Sequence, residues 1–325
     1  MRLETPSKPH HGRYCLCLTT LEVISMAASK KMFVLGSFVA MFIANGCTNS
    51  SPTTSSSDKG ASVAAETVPG RDEQDLMEID AADFDATSTK ITNRFMPLEP
   101  GMRFQYTGSD LVDGKRVAHT VDYIVTDLTR MVNGIKTVVI WDRDYSEGEL
   151  EEAELTFFAQ DKAGNVWHLG QYSEIYDGRE LLGARGFLVG ATKGAKAGIM
   201  MPVNPRENTP SFSEGWSPGP IYWSDRARVY KAAQTVKVPA GSYKDVLTTQ
   251  EYSADHNDGF QVKSYAPGVG TVLVGFQGND AEGEKLELTT MSRMGPADMT
   301  RARNEALETD ARARWYSSPA RLEQR

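Results

Sequence analysis

Cysteine is nearly missing from this chain. Of 325 residues only three are cysteines, Cys15, Cys17 and Cys47, and all precede the part that reads as a folded domain. That domain can therefore hold neither a disulfide framework nor a cysteine-ligated metal. Histidine is scarce as well. The three in the domain, His119, His168 and His256, stand in no HxH, HExxH or H-x3-H spacing. No metal ligand and no cofactor can be read from the sequence, and each reads as a surface or strand-packed residue. Lys/Arg-rich runs are absent and the formal net charge is -8, which excludes nucleic acid as a partner. No apolar run approaches the roughly 20 residues of a membrane-spanning helix.

What is present begins with a short oily segment, "MFVLGSFVAMFIA" over residues 32–44. It has the length of a signal-peptide h-region, it follows Lys30-Lys31, and it ends in Ala44-Asn45-Gly46 before Cys47. "IANGC" resembles the lipobox of bacterial lipoproteins, with Ala44 where Leu is commonest and Asn45 where a small residue is usual. The resemblance implies that Cys47 becomes the acylated N-terminus. Each buried acyl methylene contributes about 0.8 kcal/mol, so two or three chains anchor stably. Thr48, not being Asp, implies the outer membrane in a Gram-negative cell. Residues 26–46 then form the signal, and residues 1–25 read as an over-extended reading frame.

Residues 47–94 are Ser/Thr-rich and then acidic, the composition of a disordered tether. From residue 95 to 293 apolar and polar residues alternate in "RFQYTG", "HTVDYIVTD", "GIKTVVIW", "AELTFFA" and "KLELTTMS", the period-two pattern of half-buried strands. Asp113-Gly114, Asn133-Gly134, Ala163-Gly164, Asp177-Gly178 and Asp258-Gly259 supply hairpin turns. The fold class is mainly β: antiparallel strands joined by hairpins into a curved sheet, half-barrel or sandwich. Residues 180–225, rich in Gly and Pro, read as one long irregular loop. Residues 294–325 read as a polar tail, partly helical or disordered.

"PLEPGMRFQYTG", "AQDKAGNVWHLG", "GAKAGIMMPVNP", "VPAGSYKDVLTT" and "KSYAPGVGTV", in that order, resemble a group of uncharacterised bacterial exported proteins and lipoproteins. The resemblance covers roughly residues 95–275 and implies export and a β-rich domain; it adds no catalytic residue. The chain departs from that group after Pro205, where it reads "SFSEGWSPGPIYWSD".

No catalytic residue stands out. "DRDYSEGELEEAE" fails the EF-hand pattern, with Glu147 at the loop-glycine position and Ala153 at the bidentate position, so it reads as an acidic hairpin turn. "GATKGAKAG" is not a phosphate loop. Trp167, Phe212, Trp216, Tyr222 and Trp223 remain as aromatics that could touch a ligand, or else plug the sheet as core. The expectation is a lipid-anchored envelope protein with a non-enzymatic β-domain. Its partners are the membrane, through Cys47, and an unknown envelope protein, glycan or lipid, held at residues 180–225 or on an apolar concave face. The alternative is an envelope hydrolase assembled from scattered Asp, Glu and His.

Overall fold

The computed structural model describes residues 76–219, 221–253, 256–313 and 323–324. The signal segment, Cys15, Cys17, Cys47 and the first part of the tether lie outside them.

Fifteen strands and one α-helix are found among the described residues. The strands are β1 (Met102–Val112), β2 (Lys115–Val132), β3 (Ile135–Ser146), β4 (Glu149–Gln160), β5 (Val166–Asp177), β6 (Glu180–Leu188), β7 (Lys196–Met201) and β8 (Phe212–Ser213). They continue with β9 (Gly215–Trp216), β10 (Asp225–Val238), β11 (Gly241–Ser253), β12 (His256–Ala266), β13 (Gly270–Gly278), β14 (Lys285–Arg293) and β15 (Glu323–Gln324). They form one antiparallel sheet in the order β8-β10-β11-β12-β13-β14-β1-β2-β3-β4-β5-β7-β9, with β6 on β5 and β15 on β2. The sheet is open and curved, not a closed barrel.

Turn chemistry explains the tight hairpins. Asp113-Gly114, Asn133-Gly134 and Glu147-Gly148 each take positive φ at both residues, the two-residue turn whose twist matches that of the strands it joins. Asp258-Gly259 is a correction. It lies inside β12, with Gly259 opposite Gly278, and a Cβ there would meet Asp280 N at 2.8 Å. That glycine serves a close backbone approach, not a turn.

Residues 180–225 are also more ordered than their composition implies. They give β6 and β7 and then the segment 212–216, whose first two residues pair with β10 and whose last two pair with β7. Five residues thus touch both edges of the sheet.

Alternation splits the core in two. One apolar cluster lies on the inner face, with Phe104, Tyr106, Val138, Ile140, Phe158, Leu247, Tyr265 and Leu288. The other lies on the outer face, with Ile124, Trp141, Leu155, Phe157, Trp167 and Phe187, covered by Ala302 and Ala306 of the helix α1 (Pro296–Arg312). Read as a polar tail, partly helical or disordered, this segment forms a helix docked on the sheet. Its buried stripe is Ala302, Ala306 and Thr309, small enough for the helix to sit close. Arginines flank the stripe: Arg312 forks onto Glu174 (2.8 and 2.7 Å), Arg130 meets Asp310 at 2.6 Å, and Arg303 pairs with Asp127.

The end of the supposed tether packs too. Phe84 sits edge-on to Trp167 at 6.3 Å. Ile91, Phe95, Met96 and Leu98 join the inner cluster, where they close the apolar end of the curved sheet.

Candidate functional site

Along each central strand the inner face changes character. On β3 the inward residues run Val138, Ile140, Asp142, Asp144, and register sets them opposite Phe158, Thr156, Glu154 and Glu152 of β4. On β11 and β12 Leu247 faces Tyr265, Thr249 faces Lys263, and Glu251 faces Gln261. On β1 and β2 Tyr106 lies opposite Val121 and Gly108 opposite His119. One half of the interior is therefore apolar and the other is ionisable.

At the junction lies a cavity of about 40 Å³, lined by Tyr106, Tyr123, Phe158 and Tyr265, with Asp142 and Glu154 among its walls. It has room for roughly three waters. Its remaining walls are largely apolar, from the inner cluster and from Met96, Pro97 and Leu98, so where an apolar concave face was expected this end of the sheet holds a small cavity with two carboxyls on its wall.

The ionisable half is a chamber of buried acids. Asp110, Asp142, Asp144, Glu152, Glu154, Glu214, Asp225, Glu251 and Glu284 are all less than 9% exposed. Among the described residues Lys263, Arg185 and His119 counter them. Burying a charge without a partner is costly, and like charges directly opposite across strands repel, so folding favours the protonated acids. Burial first, then Glu154, raises the pKa of Asp142 well above the carboxylate range. Burial, then Asp142, does the same to Asp144. Burial, then Glu154, acts on Glu152, and burial, then Glu251, on Glu214. Glu154 is pushed up to about 7 by burial, held in check by hydrogen bonds from Ser173 and Thr156. Thr156 Oγ1 donates to its Oε1 at 2.6 Å, and Gln171 Nε2 and Ser173 Oγ donate to Oε2, the first at 2.5 Å.

The cations are held unevenly. Lys263, fully buried, meets Glu251 at 2.5 Å, and Tyr265 Oη donates to the same carboxylate at 2.8 Å. Among the described residues, Arg185 Nε and Nη2 find no hydrogen-bond acceptor, and neither Asp142 Oδ1, Asp144 Oδ2 nor Glu214 Oε1 finds a donor. Each such buried polar atom costs free energy, and groups of them mark functional sites more often than stable cores.

These acids were legible in part. "DRDYSEGELEEAE" was expected to be an acidic turn, but the turn is only Glu147-Gly148; Asp142 and Asp144 lie inside β3 and face the chamber. The signal was the alternation itself, which continues unbroken from Val138 into Asp144.

The five aromatics are not brought together on one surface. Trp167 is core: its indole N–H donates to Asp161 Oδ2 at 2.8 Å, and Asp161 also accepts from Asn165 N and Nδ2. The phrase "DKAGNVW" is thus a self-bonded turn with a tryptophan packed over it. Trp223 is 2% exposed against Phe187 (5.2 Å) and His168 (6.3 Å). Phe212 and Trp216 are half-buried on the bridging segment, and Tyr222 is 63% exposed. His168 is buried and neutral, its pKa lowered to about 4 by burial, with Nδ1 2.9 Å from the Glu214 carbonyl. The side chain of His256 lies outside the description.

A G-x-S-x-G spacing, expected to be absent, is present in the sequence. Residues 215–219 read Gly-Trp-Ser-Pro-Gly, the spacing of a hydrolase nucleophile elbow. No helix follows, Ser217 pairs with Trp223 in an isolated bridge, and its hydroxyl lies 3.4 Å from the Pro218 carbonyl. The strand–turn–helix context that exposes such a serine is missing.

No protein-family model matches the chain, and no curated protein does. Among solved structures, a candidate exported protein of YmcC-like fold from Bacteroides fragilis NCTC 9343 is similar at 13% identity and a TM-score of 0.37, over 62% of this chain and 99% of that one. A candidate lipoprotein from Parabacteroides distasonis ATCC 8503 is similar at 12% identity and a TM-score of 0.29, again over 62% and 99%. Likenesses this distant carry no argument about ligand or activity.

Proposed function

We propose that the protein is a cell-envelope lipoprotein, anchored through Cys47, whose β-domain is a non-enzymatic binding module that takes up a small cation in its acidic chamber. The carrying observation is the convergence of nine buried carboxyl groups on one end of the inner face. Such an arrangement works against folding, and a bound cation would offset the repulsion. The signal-like segment and "IANGC" support the anchor, and Phe212, Trp216 and Tyr222 support a partner contact on the bridging segment and the turn after it.

The test has two arms. Mass analysis of the chain purified from its own membranes should find an acylated Cys47 at the N-terminus, with Cys47→Ser released to the soluble fraction; an unacylated chain ends the anchor reading. Thermal melts of the same chain should rise with small cations and not with neutral sugars; the reverse would end the chamber reading.

A hydrolase is the second reading, favoured by the same convergence of carboxyls. Against it stands the size of the cavity beside Asp142 and Glu154, about 40 Å³, which admits water or an ion but not a sugar or peptide unit at those carboxyls.

A further inference from the structure

One corner of the chamber has the make-up of a coordination site. Asp110 of β1, His119 of β2 and Glu151 of β4 each bring a ligand atom to within 4.8 Å of the others. Asp110 and His119 are fully buried. Around the imidazole, Nε2 lies 3.3 Å from Glu284 Oε1 and 3.9 Å from Asp144 Oδ2, and Nδ1 lies 4.0 Å from Asp110 Oδ2.

Two further observations point to a ligand there. Asp144 Oδ2, on a side chain only 4% exposed, takes no hydrogen bond from the described residues and lies 3.9 Å from His119 Nε2, so a buried carboxylate oxygen is left aimed at the cluster. Glu151 reaches the corner through a break in the sheet. Asp144 pairs with Glu152 and the next pair is Tyr145 with Leu150, so Glu151 has no opposite residue. Such a bulge re-aims one side chain, and bulges gather beside functional sites. Regular alternation would send Glu151 to the face opposite Glu152.

We infer that Asp110, His119 and Glu151 bind one first-row divalent metal ion, with Asp144 or Glu284 completing its shell. One imidazole among carboxylates, with no sulfur, suits Mn²⁺ to Zn²⁺ better than the all-oxygen shells of Ca²⁺ or Mg²⁺. The inference rests on the chamber being a cation site and names the ion's class and place.

The test is calorimetric titration of the chelator-stripped full chain, in detergent, with Zn²⁺ alone. The expected result is one equivalent per chain, with Kd weakened at least about tenfold in His119→Gln and Glu151→Gln and changed less than about twofold in Glu99→Gln, an exposed carboxylate outside the chamber. Glu151 is half-buried at the bulge, so Glu151→Gln keeps the test standing if His119→Gln fails to fold. Uptake kept in Glu151→Gln but lost in Glu214→Gln, elsewhere in the chamber, would overturn this corner and leave the chamber as a cation site. No stoichiometric uptake would overturn both.

Discussion

The two halves of the inner face share strands, register and burial, and differ only in side-chain chemistry. Val138 opposite Phe158 and Asp142 opposite Glu154 lie on the same two strands. The first pair removes apolar surface from water, at about 25 cal/mol per Å² in favour of folding. The second places two acids face to face in a low-dielectric interior, against folding. A sheet that needed only a core could continue the first pattern to its end. The half that does not help the fold is where function is to be sought.

The sharpest break of this comparison removes one member from each half. Lys263→Ala strands Glu251 and its neighbour Glu214 without their cation, and should cost about 3–5 kcal/mol. Phe158→Ala should cost a similar ~3–5 kcal/mol through lost burial and a residual cavity. The two should part with pH: acidification protonates Glu214, whose pKa burial already raises, and relieves Lys263→Ala, while Phe158→Ala stays constant. Chemical denaturation at about pH 5.5 and pH 8 checks this. Equal pH response in both variants would mean that the chamber charges do not govern stability.

The sheet was legible because period-two alternation and paired turn residues are local signals; Asn133-Gly134 sets its hairpin whatever the distant strands do. The chamber was not, because it is gathered from strands far apart in sequence: Asp110, Asp144, Glu214 and Glu284 have no mutual spacing to read. The docking of helix α1 was not legible because its buried stripe is mostly alanine, which carries little apolar signal, while its arginines find partners such as Glu174 and Asp127 only in three dimensions. Asp258-Gly259 misled because a glycine needed for close backbone approach looks in sequence like one needed for a turn. Glu151 shows the limit most clearly, since nothing in "ELEEAE" marks which residue the bulge leaves over.

The next effect is the pH profile of the chelator-stripped wild type. An acid whose folded pKa lies above its unfolded value takes up a proton on folding. Its stabilising share is present below the unfolded pKa and is lost as pH rises to the folded one. For Glu154 that window runs from 4.5 to about 7, and Asp142, Asp144, Glu152 and Glu214 are shifted in the same direction. His168 opposes them: its share is present above 6.5 and lost as pH falls towards about 4. Several acids outweigh one histidine, so Tm should fall between about pH 5.5 and pH 8, and Glu154→Gln should flatten the fall near neutrality. A Tm that climbs steadily over that range would sink the claim that these acids are held protonated.

The smallest effect is also the most pointed. Asp142→Asn keeps the shape of the side chain and removes its charge, and among the described residues no hydrogen bond to Oδ1 is lost, since none reaches it. At about pH 8 wild type must either hold a proton on Asp142 or set its charge against Glu154 directly opposite; the amide does neither. The variant should be more stable there by roughly 1–3 kcal/mol, the cost of a buried polar group left unsatisfied, and equal to wild type near pH 5. For an ordinary core residue, replacing the native group would destabilise at every pH. If Asp142→Asn loses stability at pH 8, the carboxylate is already compensated, and the contrast between the halves is one of composition but not of energy.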